Sequence, residues 1–214
     1  MFSSTSRRTF PRQAGTAGRA VHPTEHLPTH APRGDRLQRR AAPELETARL
    51  RLRQFREDDF PTYEAWCANM DVMRFLGGKV FSRTEAWRHM AYMLGHWALR
   101  GYGYYALEEK ESGRLVGRSG FTDSTGWPGF ELGWTLAPEA RGAGYATEAA
   151  RFLLEYAFLQ LDRPHVISLI HPDNAPSRRV ADRLGQRVEG DTEVLGMPVL
   201  IYGIERERWR AERG

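Results

Sequence analysis

FELGWTLAPEARGAGYATE, running from Phe130 to Glu148, reads in one pass as a strand, a short turn and a glycine-rich helix start. A junction of this kind is suited to holding an anion. Gly142 and Gly144 let the backbone approach a ligand closely and adopt conformations closed to other residues. The N–H groups of Gly142, Ala143, Gly144, Tyr145 and Ala146 can then converge on phosphate oxygens. The helix that follows adds its positive N-terminal end. Arg141 supplies a permanent charge with a planar fork of donors matched to phosphate.

Two better-known glycine motifs do not fit. A Walker loop requires a Lys after its last glycine, and Tyr145 follows Gly144. A dinucleotide fingerprint requires a third small residue where Thr147 stands, and Asp162 lies at the end of the same helix instead of on a second strand. The remaining pattern, Arg141-x-x-Gly144-x-Ala146 between strand and helix, resembles the pyrophosphate loop of the GNAT superfamily of N-acetyltransferases. The resemblance runs from about Glu44 to about Trp209 and rests on four segments in order. These are Glu46–Arg53, the loop, His171–Gly185 and Tyr202–Arg206. It is closest to the branch that acetylates ribosomal-protein N-termini.

Charge divides the chain. Residues 1–43 hold eight arginines against Glu25 and Asp35, so of the formal net charge of +4 the remainder carries −2. The basic balance belongs to the tail, which gives no ground for expecting nucleic acid as a partner. Rich in Pro, Gly, Ala, Ser, Thr and Arg, residues 1–43 are expected to be a disordered basic tail, with a domain over 44–214. They lack the continuous apolar run of a secretory signal. No stretch approaches the ~20 apolar residues of a membrane span, so no membrane partner is expected. Cys67 is the only cysteine, which fits a reducing, cytoplasmic setting and leaves no cysteine-based metal cluster. His165 and His171 have no third ligand nearby in sequence, and no metal is expected.

Periodicity gives the layout. Arg49–Arg53 alternates as a half-exposed opening strand, and Asp58 is placed to cap a helix holding Tyr63 and Trp66. Ser82-Arg83-Thr84-Glu85 is a capping box, followed by Trp87, Met90, Ala91, Leu94 and Trp97 at helical spacing, a stripe read mainly as core. Residues 101–107 and 114–118 form a hairpin. Ala149, Phe152, Leu153, Tyr156 and Ala157 mark the inner face of the helix after Gly144, and Val166–Ile170 forms the next strand. Another helix begins at Pro176 and ends at Gly185. The fold class is α/β, a mixed and largely antiparallel sheet flanked by helices. As the resemblance implies, it contains a splayed parallel pair, residues 130–136 and 166–170.

The resemblance also implies the chemistry. Acetyl-CoA is the expected cosubstrate, with its pyrophosphate on Arg141–Ala146 and its thioester carbonyl on a backbone N–H near Leu136. Asn174 is expected on the pantetheine amides, and as a helix cap it can hold both roles. Glu131 is the expected general base, against the plainer alternative of a solvated strand residue. The acid for the departing thiolate is left open between Ser177, Tyr202 and water, because Leu184–Gly190 lacks the tyrosine many relatives place there. Gln186 stands where the branch usually has an aromatic residue.

The acceptor is expected to be a primary amine, on a small molecule or a protein N-terminus. A free α-amine with pKa ~7.8 asks less of a base than lysine at ~10.4. Monomer and homodimer are both compatible with the sequence. The competing class is a non-catalytic acetyl-CoA sensor.

Overall fold

The computed structural model describes residues 42–212, which lie in one compact unit. The tail expected over 1–43 falls outside the described residues except for its last two positions. Eight strands form one sheet: β1 (Leu45–Glu46), β2 (Leu50–Arg53), β3 (Tyr104–Glu109), β4 (Leu115–Thr122), β5 (Glu131–Leu136), β6 (His165–Ile170), β7 (Arg187–Val194) and β8 (Met197–Glu205). Their spatial order is β1-β2-β3-β4-β5-β6-β8-β7. Every neighbouring pair is antiparallel except β5 and β6. Helices α1 (Phe60–Cys67), α2 (Met70–Met73) and α3 (Arg83–Arg100) intervene between β2 and β3. Helix α4 (Tyr145–Leu159) crosses from β5 to β6, α5 (Ala175–Arg183) links β6 to β7, and α6 (Arg206–Ala211) follows β8. This is the mixed, helix-flanked sheet read from the sequence. Among the described residues no helix is long and apolar enough to cross a membrane.

Helix α3 begins at the capping box: the Ser82 hydroxyl accepts from the Glu85 N–H, and the Glu85 carboxylate accepts from the Ser82 N–H at 2.8 Å. Its inner face is Ala86, Met90, Met93 and Trp97, an i, i+4, i+7, i+11 set. Trp87 lies one step round the helix from that face and is 55% exposed, so it is not core.

Two further expectations change near β2. The cap of α1 does not come from Asp58; a 3₁₀ turn at Glu57–Asp59 precedes the helix, and the Asp59 carboxylate accepts from the Arg56 N–H at 2.7 Å. Asp59 is drawn inward by Arg53, which is buried rather than half-exposed. Its guanidinium makes a two-pronged contact with Asp59 at 2.7 and 2.8 Å and reaches Glu108 at 2.7 Å. Alternation places Arg53 on a polar face, but these carboxylates turn that face inward.

Helix α4 buries Ala149, Ala150, Leu153, Leu154, Ala157 and Phe158, leaving Phe152 and Tyr156 half-buried. Its alanines let it lie close on β4 and β5. Along β5 the side chains alternate. Glu131, Gly133 and Thr135 share one face, and Thr135 meets residues of α1–α3 around a small cavity. Trp134, on the other face, packs with Ile170, Tyr202 and Ala181 of α5.

Candidate active site

The parallel pairing of β5 and β6 is brief. Its register holds at Glu131 and Ile167, with the Ile167 N–H donating to the Phe130 carbonyl at 3.0 Å. Beyond this point side chains take over the ladder. The Ser168 hydroxyl donates to the Leu132 carbonyl at 2.7 Å. The Leu169 N–H, the next donor along β6, is directed at the Glu131 carboxylate and favours its ionised form. From Gly133 onward β5 is only partly buried until Ala137.

Leu136 lies in this splayed stretch. The Ala137 N–H donates to the Val116 carbonyl of β4 at 3.0 Å. The antiparallel alternation therefore aims the Leu136 N–H away from β4, toward the side where pairing with β6 has ended.

Arg141 to Gly144 follow as an exposed loop running into α4, whose first residues, Tyr145 and Ala146, are buried and half-buried. Gly142 and Gly144 have φ of +84° and +86°, the left-handed region that favours glycine. Gly144 is the N-cap of α4 and offers no side chain of its own to the first-turn N–H groups. The Arg141 guanidinium donates to the Asp71 carbonyl at 3.1 Å, tying the loop to α2.

The opposite side of the loop is held by residues whose role the sequence did not reveal. Arg49 donates to the Ala143 carbonyl at 2.8 Å and lies 4.6 Å over the Tyr145 ring. It also pairs with Glu148 at 2.6 Å. Glu148 receives the Thr47 hydroxyl at 2.6 Å as well, so it ties the β1–β2 turn to α4 beyond any effect on the helix dipole. The Tyr145 hydroxyl donates to Glu109 at the end of β3.

Asn174 and Ser177 meet at the start of α5, where the Asn174 side-chain oxygen accepts from the Ser177 N–H at 3.3 Å. This cap leaves the Asn174 amide donors available. Tyr202, buried on β8, accepts from Arg178 at 3.0 Å through its hydroxyl. Gln186 is also buried, and neither of its amide atoms has a hydrogen-bond partner among the described residues.

Glu131 is 7% exposed, not solvated. Burial raises its pKa from 4.5 to about 7, against the opposing effects of the Trp127 indole, the Leu169 N–H and the Arg118 charge. The Trp127 N–H donates to its carboxylate at 2.7 Å. Tyr104 reaches across from β3 above Gly133, where a methyl group would sit 2.3 Å from the phenol oxygen. Its pKa is raised, first by burial and then by the Glu131 charge. A carboxylate half-ionised near neutrality can accept a proton from an ammonium or amine.

An open cavity of about 710 Å³ runs along α4 past Thr47, Gly144, Thr147, Arg151 and Arg183. It meets the loop at Gly144 and does not include Glu131, Leu136, Asn174 or Ser177. Glu131 and Leu136 lie instead on β5, beside the point where its pairing with β6 ends.

The family described as the acetyltransferase (GNAT) domain matches residues 49–187. The uncharacterized N-acetyltransferase YnaD of Bacillus subtilis is 29% identical over 146 residues, covering 68% of this chain and 84% of its own length. A solved acetyltransferase from Agrobacterium tumefaciens is 31% identical with a TM-score of 0.70, covering 76% of this chain and 94% of that one. A spermidine N-acetyltransferase from Vibrio cholerae, solved with CoA and spermine, shares the fold at 16% identity and a TM-score of 0.63, covering 76% of this chain and 99% of that one. With the family match spanning the strand, loop and helix of the site, the chain belongs to the GNAT acetyltransferases and is an N-acetyltransferase.

Proposed function

We propose that this enzyme moves the acetyl group of acetyl-CoA to a primary amine by direct attack, with Glu131 as general base. The observation that carries this is a carboxylate buried beside the splay and poised near pH 7. The residues fit the cosubstrate: two left-handed glycines and the first N–H groups of α4 suit a diphosphate. Gly142, Ala143, Gly144, Tyr145 and Ala146 would hold it, and Asn174 would donate its free amide hydrogens to the pantetheine arm. The Leu136 N–H would receive the thioester oxygen and bond it more strongly as charge develops there.

The amine nitrogen forms a bond to the carbonyl carbon, its proton passes to Glu131, and the carbon–sulfur bond breaks to leave a thiolate. Ser177 sits at the head of α5 and is our choice to return a proton to sulfur. The Tyr202 hydroxyl, which accepts from Arg178, is the alternative. An α-amine near pKa ~7.8 is closely matched to Glu131, which favours free α-amines over lysine. Direct attack needs no nucleophilic cysteine, and burial raises the pKa of Cys67.

Two glycine substitutions separate binding from chemistry. Gly144→Ala places a side chain at φ +86°, straining the loop by about 1–2 kcal/mol. Acetyl-CoA affinity measured by calorimetry should fall about tenfold. Gly117→Ala puts a methyl 2.5 Å from the Thr135 carbonyl and 3.1 Å from the Leu136 Cα, so backbone must move where the oxyanion donor sits. The expected result is a loss of about 2 kcal/mol in stability and at least about tenfold in kcat, with cofactor affinity changed far less.

The founding experiment is CoA-thiol release from acetyl-CoA against free amino acids, N-terminal peptides, polyamines and aminoglycosides. Turnover with one class supports the proposal. Tight acetyl-CoA binding with no amine consumed would overturn it in favour of a sensor.

A further inference from the structure

Among the described residues two arginines are buried, Arg53 at 4% exposure and Arg118 at 8%, and they are treated differently. Arg53 is matched by Asp59 and Glu108. Arg118, on β4 opposite Thr135, makes no ion pair among the described residues. Its guanidinium donates to the Met93 sulfur at 3.3 Å and lies 4.5 Å from the centre of the Tyr104 ring. A buried guanidinium is expensive without a partner of opposite charge, and a thioether and a ring face recover only part of that cost.

Arg118 also lines a narrow cavity of about 30 Å³ with Tyr63, Cys67, His89 and Thr135, and its apolar lining comes from Trp66 of α1, Val72 and Met73 of α2, and Leu76 and Phe81 between α2 and α3. That volume admits a water or one small polar group. Nothing else on the cavity wall carries charge. Burial and the Arg118 charge hold His89 down to about 3, keeping it neutral, and its ring nitrogen is bonded to the Tyr63 hydroxyl at 2.5 Å. Glu131 is the acid that acts electrostatically on Arg118, but it is only half-ionised near neutrality. Thr135, Gly133 and Glu131 follow one another along the same face of β5, with the Tyr104 ring between the arginine and the carboxylate.

We infer that the acceptor carries a carboxylate on the same molecule as its amine, and that Arg118 receives this carboxylate while the amine faces Glu131. The inference rests on Glu131 being the base. It assigns the acceptor to the amino-acid class or to peptides beginning with an acidic residue. It also disfavours polyamines and aminoglycosides, whose cations would approach a fixed buried cation.

The test is kcat/KM, from CoA release, for wild type, Arg118→Met and Arg118→Lys. The substrates are free L-amino acids, their carboxamides, and peptides starting with Asp, Glu or Ala, with spermidine for comparison. For wild type, amidating the carboxylate of the best acceptor should cost about a hundredfold, as expected for a desolvated charge pair. Arg118→Met should lose about the same factor on the acid yet treat acid and amide alike, and Arg118→Lys should regain part of the preference. Free amino acids against acidic peptides show which carboxylate is read. Equal turnover of acid and amide by wild type, or a preference surviving in Arg118→Met, overturns the inference while leaving the enzyme reading intact. Absence of turnover with every amine, despite acetyl-CoA binding, overturns both. Melting temperatures of the two variants show whether either has merely unfolded.

Discussion

Glu131→Gln should lower kcat by about a hundred- to ten-thousandfold and, above pH 7, should make the fold more stable. The first effect is the usual worth of a positioned general base. The wild-type rate should climb with pH through about 7 as Glu131 ionises, and again as the amine loses its proton. The variant should keep only the second rise. The second effect follows from burial. Folding raises the pKa of this carboxyl from 4.5 to about 7, so between those values the native state holds a proton the unfolded chain has released. Stability therefore falls as pH rises across that window, by about 3 kcal/mol when complete. Gln has the shape of the protonated acid and never ionises. Urea unfolding should find the variant about 3 kcal/mol more stable than wild type at pH 8.5 and nearly equal at pH 4.5. Equal stability at both pH values would mean that Glu131 is not held as described. A gain in stability coupled to a loss of rate is the signature of a group placed for chemistry.

Arg53→Met should destabilise the protein by about 3–5 kcal/mol, the cost of stranding buried charges. Asp59 and Glu108 are 7% and 8% exposed, and Arg53 contacts both. Asp59 would keep the Arg56 N–H, and Glu108 would keep Arg51 at 2.7 Å. Burial pushes the Glu108 carboxyl up, but Arg53 and Arg51 outweigh it and hold its pKa below the ordinary value. The sign is therefore opposite to that of Glu131: this contribution is present above the unfolded value of 4.5 and is lost as pH falls through the lower folded one. Adding Glu108→Gln to Arg53→Met should return part of the loss, since one stranded charge is then removed. A loss under about 1 kcal/mol in urea unfolding, or no recovery in the double variant, would show that the three groups are not coupled through burial.

The local grammar of this chain was readable and its long-range polar pairing was not. The Ser82 box, the Gly144 helix start and the Asn174–Gly185 helix each carry their signals within a few residues. Glu131 was placed on the right strand, but period-two alternation cannot say which face a helix will cover, so its burial was invisible. Arg53 and Arg118 look like ordinary polar strand positions, and only the fold shows one matched by acids and the other not. Arg49 is 94 residues from the Ala143 carbonyl it grips, and no local spacing marks such a contact. Trp87 illustrates the reverse error, an apolar residue at helical spacing that falls just outside the buried arc.

The way the Ser168 hydroxyl and the Glu131 carboxylate engage the end of the β5–β6 ladder has one more consequence. Two strands that part in mid-sheet would ordinarily tend to zip shut, because each open rung leaves a carbonyl and an amide wanting partners. Here the Leu132 carbonyl is already taken by the Ser168 hydroxyl and the Leu169 N–H is drawn toward the Glu131 carboxylate, so closure would have to give up both to make one bond. The gap stands ready-made, and a thioester arriving there has no strands to prise apart.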